Sequence, residues 1–273
     1  MWASCAAEAV KLLRRPGTWL LLAVAVVLSL VFTYLVPYAA YADGSAGVRS
    51  DRALDALLPA RLVGNSIGGL PVFLGAICLI LAVLTVGSEY AWGTWKTLLT
   101  QGPSRLSVYL GKLLVLAAAT LVLVLTLFAV GALTSLLIAV AQAQPVHWPA
   151  VGDVAVGIGA GWLISMVWAG FGVLLAVLLR GVALPIGLGL VWLLAVQNLL
   201  AGVAAPILAW VAELQKGLPG PNAGALAAAL GAGPETPGVA AVVGGGQAAV
   251  VLAGYLLGFV LLAGAYLHRR DIL

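Results

Sequence analysis

Residues 113–140 read LLVLAAATLVLVLTLFAVGALTSLLIAV, twenty-eight consecutive positions without one charged side chain. At 1.5 Å of rise per residue, about 20 apolar residues cross a hydrocarbon layer roughly 30 Å thick, so this run is long enough to span a bilayer as a helix. Five more stretches share its character, with approximate limits 18–40, 66–87, 154–179, 182–210 and 247–267. A lipid-exposed backbone has no water to satisfy it and must form helices or a closed barrel. Barrel strands alternate apolar and polar over about ten residues, whereas these runs are apolar on every side. The expected fold is an all-α, polytopic transmembrane bundle of six spans, one domain covering 1–273.

Composition agrees. The chain of 273 residues is 63% hydrophobic and 8% charged, with a mean hydropathy of +1.16. Soluble domains carry about 25% charged residues, so this chain cannot coat itself with a solvated surface, and lipid is its expected main solvent. The net charge of +4 is too small, and too unevenly placed, to suggest nucleic acid. Cys5 and Cys78 are far apart and offer neither a disulfide framework nor metal spacing.

Basic residues set the expected orientation. Lys11, Arg14, Arg15, Lys96, Arg105, Lys112, Arg180, Arg269 and Arg270 fall on the side shared by both termini. Arg49, Arg52, Arg61 and Lys216 fall on the other, with six acidic residues. Nine against four places both termini in the cytoplasm by the positive-inside rule, in a cell membrane. Arg14-Arg15 ahead of an apolar run that closes on Ala40-Tyr41-Ala42 imitates a twin-arginine signal, but the run is of spanning length and is expected to be retained.

Residues 2–15 form a two-faced helix. Ser4, Glu8, Lys11 and Arg15 share one side; Trp2, Ala6, Ala9 and Leu13 share the other. With Arg14 and Arg15 at its end, it suits an interfacial helix in the cytoplasmic headgroup layer, broken by Pro16-Gly17. An outer segment, 211–246, is rich in Gly, Ala and Pro and too interrupted to span; short helices dipping into the outer headgroups are expected there. Small residues recur every four positions at Gly157, Gly161, Ser165 and Ala169, and Gly254 and Gly258 form a GxxxG. Such stripes let backbones approach closely, within a chain or between subunits.

Chemistry is sparse. No ionisable residue lies inside the six runs, where ion-gradient transporters place theirs, so energy for uphill movement is expected to enter from outside the bilayer. Gly102…Gly111-Lys112 has the wrong spacing for a phosphate-binding loop, and Leu113 stands where Ser or Thr is required. Gly64-Asn65-Ser66-Ile67-Gly68 matches G-x-S-x-G literally, and His147 and Asp153 lie on the same expected side. A nucleophile elbow needs a strand before the serine and a helix after it, so the match reads as accidental in a chain with 34 glycines. No catalytic residue, metal site or cofactor is expected. The polar side chains left inside the spans include Ser165, Gln197 and Asn198, candidates either for helix–helix hydrogen bonding or for lining a translocation path.

The segment 88–112, SEYAWGTWKTLLTQGPSRLSVYLGK, is the most informative connection. Trp92, Trp95, Leu98 and Leu99 give an apolar face to a short helix on the inner surface, ended by Gly102-Pro103. Ser104 is placed to cap the next helix, and Lys112 to mark the lipid boundary. Charges at both ends suit docking of a cytoplasmic partner.

The order Glu89, Gly93-Thr94, Leu98-Leu99-Thr100, Pro103-Ser104-Arg105, Gly111-Lys112 resembles the first cytoplasmic loop of the permease subunits of type-2 ABC exporters. The basic amphipathic N-terminal helix with Glu8, Lys11 and Arg14-Arg15-Pro16, the six spans, the enlarged outer segment and the basic tail at 268–271 are similar too. The resemblance implies a non-enzymatic half-transporter. Two permease copies, or this chain and a paralogue, would pair within membrane lipid. Each would dock on a separate ABC ATPase subunit that binds ATP and Mg. Glu89, Gly93, Thr94, Trp95, Leu98, Pro103, Ser104 and Arg105 would form the coupling loop, with Glu8, Lys11, Arg14 and Arg15 beside it on the interfacial helix. Charge reversal at Glu89 or Arg105 is then expected to weaken motor binding while leaving insertion intact. A membrane-embedded anchoring or assembly subunit that moves nothing is the alternative.

Overall fold

The structure, a computed structural model, describes residues 2–43, 54–94 and 104–269. It is helical, with no strand among the described residues. Helix α1 (Trp2–Arg14) precedes six helices long and apolar enough to cross a membrane. These are α2 (Pro16–Ala42), α4 (Phe73–Ala91), α5 (Arg105–Ala141), α6 (Val151–Leu179), α7 (Ala183–Ile207) and α10 (Gly245–Arg269). Among the described residues, shorter α-helices include α3 (Leu62–Ile67), α8 (Ala209–Gln215) and α9 (Pro219–Ala229).

Local sequence explains the breaks. Arg15 precedes a proline and is extended (φ −80°, ψ 119°), because the proline ring disfavours helical backbone before it. Pro16 then opens α2, where a missing N–H costs nothing. Helix α3 ends at Ile67, and Val72, after Pro71, is non-helical (φ −125°, ψ −79°) just before α4. The run expected to span as 66–87 is therefore split, with α3 separate and α4 reaching four residues further, to Ala91. Within α2 and α7 the backbone widens to π-helical turns, at Leu30–Leu35 and at Val191–Val196 and Leu200–Ala204. Pro37 and Pro206 follow two of these turns, and a wider turn relieves the clash between a proline ring and the carbonyl four residues back.

Packing divides the spans into a centre and a rim. The most apolar stretch of α4 is 78% buried and that of α6 61%, against 11% for α2 and 17% for α7 and α10. The pair α4–α6 makes the most extensive helix contact, followed by α6–α10. The small-residue stripe of α6 faces this centre. A Cβ on Gly161 would lie 3.1–3.2 Å from Leu70, Ile67 and Val124, and Ser165 and Ala169 are buried. Gly75 of α4 is pressed against the Trp168 indole, 2.4 Å from where its Cβ would stand. Gly254 and Gly258, in contrast, have nothing within 4 Å, so the GxxxG of α10 does not pack within the chain.

The segment 211–246, expected to dip into headgroups, packs on the spans. Helix α9 packs along α10, with contacts to α6 and α3, and its residues from Pro221 to Ala227 are buried. Asn222, fully buried, donates through Nδ2 to the carbonyls of Lys216 (2.8 Å) and Leu218 (2.7 Å), pinning the entrance of α9.

Candidate functional site

One end of the bundle gathers α1, the end of α4, the start of α5, the α6–α7 junction and the end of α10. Leu12, Val86, Val108, Val177 and Leu267 share one buried cluster there, and Tyr109 donates to the Val260 carbonyl at 2.7 Å. Ser104 caps α5 by accepting from the Ser107 N–H at 3.2 Å.

Four charged side chains meet in this cluster. Lys112 Nζ lies 2.6 Å from Glu8 Oε2 and 3.0 Å from Glu89 Oε1. Lys11 Nζ lies 2.8 Å from Glu8 Oε1 and 3.0 Å from the same Glu89 Oε1. Two positive and two negative charges thus alternate across three helices, α1, α4 and α5. Glu8 is 4% exposed, Glu89 2% and Lys112 1%. A lone charge this deep carries a desolvation penalty of several kcal/mol, which mutual pairing offsets. Lys112 also donates to the Thr85 carbonyl, and the Thr94 hydroxyl donates to Glu89 Oε2. Lys11 is the more exposed member. Burial alone would lower its pKa, but hydrogen bonds and charge from Glu8 and Glu89 outweigh this and raise it above 10.5.

The arrangement changes three expectations. Lys112, expected at the lipid boundary, is turned into the packed interior of the protein, two turns after α5 starts at Arg105. Helix α1 turns its charged side toward the bundle: Glu8 and Leu12 are buried while Leu13 and Val10 are exposed. The faces were legible, but their direction followed from the buried charges of Glu89 on α4 and Lys112 on α5, to which α1 adds Glu8 and Lys11. Glu89, finally, is enclosed by its counter-ions instead of standing free for a partner.

The other described residues of this end are more open. Gly93 takes φ +65° with nothing around its missing Cβ, a left-handed conformation that favours glycine. Trp92 is exposed, with the Arg15 guanidinium 5.1 Å above its ring. Arg15 also donates to the Leu84 carbonyl at 2.8 Å, tying the α1–α2 junction to α4. Arg105 is half-buried and Arg14 exposed. Trp95, Leu98 and Pro103 lie outside the described residues.

The three candidate path residues separate. Ser165 is fully buried at the bundle centre and donates to the Gly161 carbonyl of its own helix at 2.8 Å. Asn198 donates to the carbonyls of Leu193 and Leu194 on α7. Gln197 is buried near the opposite end. Ser66, of the G-x-S-x-G match, sits buried inside helix α3, while His147 is exposed on the connection between α5 and α6. Gly64 of that match is explained by packing, since a Cβ there would fall 2.1 Å from the Gly231 carbonyl oxygen.

Sequence reasoning missed the joint role of Glu8, Lys11, Glu89 and Lys112. The signal was available: in a chain so poor in charge, two acids and two lysines lie just beyond apolar runs, with signs that cancel.

The sequence pattern describing the ABC-2 family transporter proteins matches residues 5–196, from α1 through the first half of α7. No match was found among curated proteins.

Proposed function

The chain belongs to the ABC-2 family of transporter proteins, and from that premise we propose that it is the membrane permease of an ATP-driven exporter, worked by a separate ATPase subunit. The end bearing the charge cluster faces the cytoplasm in this reading. Lys11, Arg14, Arg15, Arg105, Lys112, Arg180 and Arg269 support it, since basic residues concentrate on the cytoplasmic side of multi-pass proteins. The motor docks on the segment between Glu89 and Arg105 and on the neighbouring face of α1. ATP and Mg are held by the motor, and a second permease copy or paralogue completes the path.

The observation that carries this reading is the four-charge cluster built on Glu89 and Lys112, near the two ends of the 88–112 segment. A push on the loop or on α1 is useful only if it reaches the spans. Glu8 and Lys11 on α1, Glu89 on α4 and Lys112 on α5 make one polar joint inside an apolar bundle, so the three helices move together. Helix α4 is also the most buried span, and its displacement must reposition α6 against it. ATP-driven closure of the motors thereby alternates the access of the bundle.

The test is purification of the tagged chain from its own host in mild detergent, with identification of co-purifying chains. A stoichiometric cytoplasmic ATPase, lost when residues 89–105 are altered, is the expected result. Recovery of the chain without any ATPase, even after crosslinking, would overturn the proposal and leave an anchoring subunit.

A further inference from the structure

Helix α7 widens twice, at Val191–Val196 and Leu200–Ala204, and Gln197 stands between the two wide turns. Isolated π-helical turns occur frequently at functional sites, because the extra residue re-aims the side chains around it. Gln197 is 5% exposed, and neither its Oε1 nor its Nε2 has a hydrogen-bond partner. A carboxamide offers two donors and an acceptor, and buried side chains of this kind are nearly always satisfied.

The amide lines a cavity of about 210 Å³ at the end of the bundle opposite the charge cluster. Pro71 and Val72, ahead of α4, form one wall; Gly220 and Pro221, at the head of α9, form another. Gly202, Gly238 and Ala240, all exposed, form its mouth. Gly220 is shaped to the amide, since a Cβ there would fall 1.6 Å from Gln197 Oε1. Asn198, the other polar side chain in the lining, already spends its Nδ2 on its own helix. Among the described residues, no ionisable side chain lines the space.

We infer that this cavity binds an uncharged ligand group presenting a donor and an acceptor on one edge, a terminal carboxamide on an apolar chain being the simplest, and that Gln197 recognises it. A primary amide donates to Oε1 and accepts from Nε2 in one cyclic pair, satisfying both orphaned atoms together. A charged group would find no counter-ion among the described lining residues, and a purely apolar one would leave Gln197 unpaired. An apolar cavity of about 150 Å³ holds benzene, so this one takes the headgroup and the first few carbons, with the chain leaving through the mouth. The site is built from this one chain and does not rest on coupling to an ATPase.

The experiment uses the purified full chain in lipid nanodiscs and a decanamide carrying a photoactivatable diazirine on its alkyl chain. Saturable crosslinks within 193–202 or 238–242 are expected, competed by unlabelled decanamide and not by methyl decanoate. Gln197→Leu should weaken labelling by at least about tenfold, the equivalent of one lost hydrogen-bond pair. The same variant, measured without ligand, should keep or raise the Tm, because it removes an unpaired buried amide. Equal competition by the ester, or undiminished labelling of Gln197→Leu, would overturn the assignment. A lowered Tm or failure of Gln197→Leu to fold would do so as well, by showing that the amide is already engaged in the fold.

Discussion

Lys112 Nζ lies 2.6 Å from Glu8 Oε2, joining residues 104 positions apart in the chain at a point where both are buried. This contact closes the N-terminal helix onto the third span, and with Glu89 and Lys11 it makes a neutral set of four charges. The cluster is both a structural joint and, in the proposed function, the place where force from the loop enters the bundle.

Removing one partner of such a set strands the others. Lys112→Met keeps the length of the side chain and leaves Glu8 and Glu89 facing each other with only the partly exposed Lys11 between them. A loss of about 3–5 kcal/mol is expected in unfolding experiments. The triple variant Glu8→Gln, Glu89→Gln, Lys112→Met should recover most of it, because the one charge then left without a counter-ion, Lys11, is partly exposed to solvent. A Lys112→Met cost below about 1 kcal/mol, the range of exposed pairs, would show that the cluster is solvated.

Lys11 should behave differently with pH. Its pKa is raised in the folded chain, so its contribution is fully present below the unfolded lysine value of 10.5 and is lost only as pH climbs through the higher folded value. Thermal stability is therefore expected to show no loss traceable to Lys11 between neutral pH and 10, and a loss above it that Lys11→Met lacks. A Lys11-dependent loss between pH 7 and 9 would contradict the pairing.

Glu89 and Arg105 no longer belong to one prediction. Glu89→Lys would set three ammonium groups together in a buried space and should impair folding itself, read as loss of monodisperse protein. Arg105→Glu, in the first turn of α5, meets a helix N-terminus that favours an acid and should fold normally. A severalfold fall in motor binding or coupled ATPase activity is expected from Arg105→Glu in the reconstituted complex. Wild-type coupling in a folded Arg105→Glu variant would remove that residue from the docking surface.

Gly75→Ala sets helix propensity against packing. Alanine is favoured in a helix by about 1 kcal/mol, but the new Cβ would meet Trp168 at 2.4 Å and the Leu70 carbonyl at 2.6 Å. Overpacking at about 1–3 kcal/mol wins, so stability should fall. Gly254→Ala, with open space around it, should be neutral or stabilising for the isolated chain; equal losses at both positions would refute the distinction.

Ser165→Lys places a charge at the bundle centre. On insertion scales this costs about 2.5–3.5 kcal/mol, and the α4–α6 contact has no room to hydrate it. Reduced insertion and loosened packing of α6 are expected, read by protease protection and cysteine accessibility. Unchanged assembly would mean that Ser165 faces a water-filled path.

Much of this was legible in the chain itself. Apolar runs of spanning length force helices wherever lipid replaces water, because each backbone group must then be satisfied within its own segment. That argument needs no tertiary contact, and it extends to the stripe from Gly157 to Ala169, whose small side chains permit close approach. The loop motif from Glu89 to Lys112 carried the family resemblance in the same local way.

Tertiary structure decided what depends on partners distant in sequence. Whether Glu89 and Lys112 end in headgroups or inside the protein cannot be read from their own neighbours; it turns on α1 bringing Glu8 and Lys11 to the same point. The inward turn of the charged face of α1, the unpacked Gly254 and Gly258, and the orphaned amide of Gln197 have the same origin. Helix formation in lipid is a local requirement, satisfied residue by residue, whereas charge pairing and cavity formation are properties of surfaces that meet only when the bundle closes.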